Sequence, residues 1–173
     1  MVQMNTPSST GEILSHLSDW DPRSRHEART KLVYLGETVI PLLIEKLTSK
    51  DTHVRWEAVK ALGEIKDPIA AEAIVELLQD DDTGVRWAAM GSLIELGRAS
   101  IKPLLLAITK NFGSAHLRQG AHHALHALHN MSMLSALEVE VMHALEGTTP
   151  GIEAAKTANR ALIEEYLHPE KKI

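Results

Sequence analysis

The sequence predicts an all-α fold, an α-solenoid of about five stacked helix pairs. Three observations predict it. A short pattern recurs four times, the apolar residues inside each copy fall at helical spacing, and a second apolar run separates consecutive copies. The copies are SRHEARTKLVYL from Ser24, VRWEAVKALGEI from Val54, VRWAAMGSLIEL from Val85 and LRQGAHHALHAL from Leu117. Arg recurs at 25, 55, 86 and 118, Ala at 28, 58, 89 and 121, and Leu at 32, 62, 93 and 125. Leu35, Ile65, Leu96 and Leu128 close the copies, with spacings of 30, 31 and 32 residues.

Within a copy the apolar positions stand three or four apart and seven or more apart, which is one face of a helix. The intervening runs IPLLIEKL, AAEAIVELL and IKPLLLAI give each unit a second helix. Pro41, Pro68 and Pro103 sit where these second helices begin, a place proline tolerates because the first-turn N–H has no intrahelical partner. Asp21-Pro22 and Asp67-Pro68 read as an N-cap followed by the first helical residue. Gly36, Gly63 and Gly97 lie near helix ends, where a left-handed cap is expected. The predicted helices are roughly 11–18, 22–35, 39–48, 52–66, 68–79, 83–97, 100–110, 114–130, 135–146 and 150–167. They group into repeats at about 11–36, 37–66, 67–98, 99–130 and 131–167, with 1–10 and 168–173 as flexible ends. The fifth unit departs from the pattern, as a terminal cap does.

The chain has 173 residues, enough for one short array with a real core. Aromatic residues make up only 3% of it, so the core is aliphatic and each Trp position is informative. A net charge of −5 with no basic stripe disfavours a nucleic-acid partner. The absence of cysteine excludes disulfides, thiolate ligands and a thiol nucleophile. The start, MVQMNTPSSTGE, lacks the basic and apolar regions of a signal peptide. No apolar run of about 18 residues occurs, which argues against a membrane span. A cytoplasmic location is the expectation.

The D-x-x-V-R-x-x-A-x-x-x-L-x-x-L/I skeleton at Asp51–Ile65 and Asp82–Leu96 resembles the HEAT-repeat family, and within it the bilin-lyase (PBS lyase) type of short HEAT-like repeat. The resemblance covers residues 12 to about 146. It implies a right-handed superhelix whose longer helices line the concave face, and it speaks to fold far more than to function.

Asp21/Arg25, Asp51/Arg55 and Asp82/Arg86 stand four apart, and Ser114 precedes Arg118 in the same way. The Asp caps the helix and the Arg lies at the edge of the apolar face. An anion site is the other reading of these pairs. The structural reading is preferred because the pairing repeats with the fold and neutralises itself.

Stepping about 100° per residue from the repeated Ala puts Trp56 opposite the core face, beside Lys60 and with Val59 at its flank. Trp87 takes the same register, with Met90 and Ile94 around it. Two readings compete. Each Trp could lie flat and cap the core edge with its N–H in water. Two in register with apolar neighbours instead suggest a groove that takes a protein or peptide partner, and this is the favoured reading. The same face continues through His26 and Arg29 in copy one and through Gln119, His122, His123 and His126 in copy four.

His122, His126 and His129 follow i, i+4, i+7, a spacing able to hold Zn²⁺ or Ni²⁺. With no Glu between the first two, the hydrolase arrangement fails. The plainer reading, a polar surface that charges as pH falls, is preferred, so no cofactor is expected and a divalent metal is the exception to test. No catalytic residue is assigned. Iron-dependent deoxyhypusine hydroxylases share this repeat type and use several His-Glu pairs, of which only His26-Glu27 stands here. The expected function is therefore a binding scaffold. A bilin lyase or chromophore-binding subunit is the alternative, followed by a metal-binding protein or a DNA glycosylase, whose basic concave face would rest on Arg29, Lys60 and few others.

Overall fold

The structure, a computed structural model, describes residues 9–147 and 149–167. Ten α-helices occur among them: α1 Thr10–Ser15, α2 Pro22–Leu35, α3 Ile40–Lys46, α4 Thr52–Ile65, α5 Ala71–Glu76, α6 Thr83–Leu96, α7 Ile101–Lys110, α8 Ala115–Asn130, α9 Ala136–Ala144 and α10 Pro150–Leu167. No strand is present among the described residues, and the fold is the all-α solenoid that the repeats predict. Several short helices are extended by single 3-10 turns, at His16–Ser18, Gly36–Val39, Pro68–Ala70, Leu77–Gln79 and Gly97–Ser100. These turns account for the longer spans expected from periodicity. The flexible ends expected at 1–10 and 168–173 fall largely outside the described residues. Ser9 and Thr10 are described, and there Ser9 caps α1 by accepting from the Glu12 N–H.

The longer helices stack side by side, α2 on α4, α4 on α6 and α6 on α8. Their inward residues, including Leu32, Leu62, Leu93 and Leu125, are fully buried. The recurring Leu therefore forms one aliphatic ridge running through the array. Asp21, Asp51, Asp67, Asp82 and Ser114 each accept a backbone N–H of the turn that follows, as their places in the sequence require.

The repeated arginines do something different from the expected i, i+4 pairing. Each sends its Nη1 back six residues, to the carbonyls of Asp19, Ser49, Asp80 and Phe112 at 2.7, 2.9, 2.7 and 2.7 Å. The cap Asp spends its carboxylate on the helix N-terminus, so the guanidinium is left to tie down the turn that enters each long helix. Arg55 also reaches the next copy, holding Asp80 through Nε and Nη2 at 2.7 and 2.9 Å.

Gly36 and Gly97 have φ of 63° and 61° and end α2 and α6 as expected. Gly63 does not cap α4; that position is Lys66, at φ 62°. Gly63 is needed for packing instead, since a Cβ there would lie 2.8 Å from the Ser92 Cα on α6. Ser92 Oγ donates to the Val59 carbonyl at 2.9 Å across this contact.

The fifth pair departs from the regular stack. α9 packs against α8, and α10 packs against α7 and α9. The two helices thus exchange layers, α9 continuing the row of long helices and α10 the row of short ones. Ala154, Ala158 and Leu162 of α10 are buried, while Ile152 and Ile163 of the same helix remain exposed.

Candidate functional site

The two register-equivalent tryptophans have different fates. Trp56 is half-buried and packed against the core. Arg29 from the preceding copy lies over its ring, with Cζ 5.5 Å from the centroid. Gly84 of α6 also stands beside the ring, where a Cβ would come within 3.9 Å of Trp56 Cδ1. Trp87 is 58% exposed. Its equivalents of these two covers are Val59, too short to reach across, and His116, an imidazole where copy three has a glycine. The sequence periodicity gives both rings one direction, but only their neighbours decide which ring lies down.

Three members of the expected groove are corrected in consequence. Val59 is fully buried, because the α4–α6 contact is closer than a simple helical projection allows. Arg29 is buried at 8% exposure, drawn in by Glu57, to which it donates, and by Glu64 at 3.1 Å. Trp56 joins the core edge rather than an open strip. Lys60, Met90 and Ile94 are half-buried, and Met90 and Ile94 pack onto the core. His26, Gln119, His123 and His126 are exposed, with His26 Nδ1 2.8 Å from Arg29 Nη2.

A cavity of about 130 Å³ lies between α6 and α8. Arg86, Trp87 and Met90 form one wall and His116, Gln119 and His123 the other. Leu78, Thr83 and Gly120 complete its lining. The Trp87 and His123 rings are 5.9 Å apart and tilted by 38°. His116, Gly120, Leu78 and Thr83 were not visible as a site in the sequence, and Arg86 entered only through the less favoured anion-site reading of the Asp82/Arg86 pair. The available signal was the register, which puts Gly120 in copy four where copy two has Glu57.

The histidines of the less favoured metal reading have other neighbours. His122 Nε2 meets Glu146 at 2.7 Å, and His126 Nδ1 lies 3.3 Å from Asn130. The His122 and His126 rings stand 6.1 Å apart. Among the described residues no group of three or more His, Cys, Asp or Glu side chains is placed to hold a metal ion. Glu146 lies far along the chain and reaches His122 only because α9 packs beside α8.

The match to known proteins bears on the fold. The HEAT-repeat family model matches residues 11–94, a stretch that takes in the first two copies and most of the third; the fourth copy and its register follow from the internal repeat. A solved crystal structure of an engineered protein covers 96% of this chain and 91% of its own length, at 18% identity and a TM-score of 0.41. A likeness of that extent supports nothing further. No curated protein matches the chain. Among the described residues no helix is long and apolar enough to cross a membrane.

Proposed function

We propose that this protein is a binding scaffold that takes a protein or peptide segment across the exposed face of α6 and α8, with Trp87 as the anchor. The observation that carries this is the exposed Trp87 ring standing at the mouth of a cavity. A scaffold anchor pairs a large aromatic surface with a recess that a partner side chain can fill and dry. A cavity of about 150 Å³ can hold a benzene-sized group, so the space beside Trp87, close to 130 Å³, suits one aliphatic or aromatic side chain. Sites that enclose whole cofactors run to roughly 300–1,000 Å³, and this supports a side-chain pocket over a tetrapyrrole site. No nucleophile with an oriented base lines the cavity, which favours binding over catalysis.

The test is selection of displayed random peptides on the wild-type protein, followed by measurement of the enriched pool on Trp87→Ala. The expected result is a roughly thirtyfold loss of affinity, the equivalent of about 2 kcal/mol for an anchor cut to Ala. Enriched peptides that bind the variant as tightly as the wild type would overturn the reading.

A further inference from the structure

The copies differ in how their arginines are neutralised. Arg25 in copy one meets Glu57 of copy two at 3.5 Å, and Arg55 in copy two meets Asp80 of the turn entering copy three at 2.7 Å. Relative to the repeated Arg of its own copy, Glu57 stands at +2 and Asp80 at −6. The same two positions in copy four, which would serve Arg86, are Gly120 and Phe112. Neither carries a charge. Among the described residues the hydrogen bonds of Arg86 go to neutral oxygens, the carbonyls of Asp80 and Asp81 and the hydroxyl of Thr83. At Gly120 a Cβ would lie 2.8 Å from Leu78 Cδ2, so Leu78 packs where a side chain of copy four would begin, and Gly120 and Arg86 both line the cavity.

We infer that this cavity takes the carboxylate of an acidic side chain on a bound peptide, which supplies Arg86 with the kind of partner that Glu57 gives Arg25. The inference rests on the scaffold reading above and names its recognition chemistry. The polar groups around the cavity are all able to donate: Arg86, His116, Gln119, His123 and Thr83. No Asp or Glu lines it among the described residues. The nearest carboxylates, in the turn before α6, have other partners or face water. Asp80 is held by Arg55, Asp82 caps α6, and Asp81 is exposed. An apolar residue beside the acidic one then covers Trp87 and Met90. A charge-assisted contact with a partly desolvated guanidinium is the stronger kind of hydrogen bond, and a neutral isostere cannot replace it.

Three tripeptides with a blocked N-terminus test this against the full chain. The first has glutamate between two leucines and an amidated end, the second has glutamine in place of glutamate, and the third is the glutamine peptide with a free terminal carboxylate. Binding is followed by the indole N–H signal of Trp87, assigned by its loss in Trp87→Phe. The expected result is that the glutamate peptide shifts this signal and binds at least about tenfold tighter than the amidated glutamine peptide, with the preference shrinking as salt is raised. Equal binding of the two amidated peptides at Trp87 would overturn the carboxylate assignment and leave the scaffold reading standing. Preference for the free terminus alone would overturn the side-chain source. No shift of the Trp87 signal with any peptide would overturn both readings.

Discussion

Glu57 is where the first two copies lock together. It is 3% exposed, accepts from Arg29 and lies 3.5 Å from Arg25. Two arginines from one helix on one buried carboxylate form a cluster whose worth depends on the carboxylate remaining, since an unpaired buried charge is costly. Glu57→Gln keeps the size and removes the charge. It is expected to lower stability by about 3–5 kcal/mol, measured by urea unfolding at neutral pH. Asp80 gives a second residue-scale expectation, with a pH signature. Burial alone would raise its carboxyl. The hydrogen bonds from Arg55 and the Asp82 amide, together with the charges of Arg55 and Arg86, outweigh burial and hold it below the ordinary range. A carboxyl depressed in the folded state contributes stability above its unfolded pKa, and that contribution is lost as pH falls through the folded value. The difference in unfolding free energy between wild type and Asp80→Asn should therefore be full above about pH 4 and shrink below it. A difference that stays constant across that range would contradict the assignment.

At the scale of the element, each long helix is fixed by its entry turn and its spacing from the next helix. The entry is a cap on one side and an arginine on the carbonyls six residues back. The caps could be read directly from Asp-Pro and Asp-x-x-Val, whereas the arginine's target could not, because periodicity places a side chain on a face and says nothing about which neighbour it bonds. The helix spacing depends on two glycines that look alike in sequence. At Gly63 a Cβ would meet the Ser92 Cα at 2.8 Å, whereas at Gly91 it would meet nothing within 4 Å. Gly63→Ala is expected to cost about 1–3 kcal/mol by forcing α4 and α6 apart. Gly91→Ala is expected to raise stability by about 0.5–1 kcal/mol through helix propensity. Thermal unfolding of the two variants checks the opposite signs.

For the whole molecule, four aligned positions in four copies were enough to read the stack, its core ridge and the ten helices. The layer exchange of α9 and α10 was not legible, because the last unit lacks the repeated Arg and Ala that fix register. The candidate site was legible only in part. Trp87, Met90, Gln119 and His123 fell on the predicted face and line the cavity. Trp56, Val59 and Arg29 fell on the same face in projection and were taken up by packing, because Arg29 is long enough to cover a ring and Glu57 is placed to draw it inward. What makes copies three and four different is the loss of covering and acidic side chains, and with it the Trp87 ring is exposed and the hydrogen bonds of Arg86 among the described residues go to neutral oxygens.

The division of labour between the two tryptophans is the claim most directly open to measurement. Trp56→Ala and Trp87→Ala should be compared by thermal unfolding under identical conditions. Trp56 is expected to cost about 2–3 kcal/mol, roughly 5–10 °C in midpoint, because its removal opens the contact with Arg29 and the α4–α6 edge. Trp87 is expected to change stability by no more than about 0.5 kcal/mol, as an exposed residue with few core contacts does. Equal losses for the two variants, or a larger loss for Trp87→Ala, would show that Trp87 belongs to the core edge and would contradict the role proposed for it as a partner anchor.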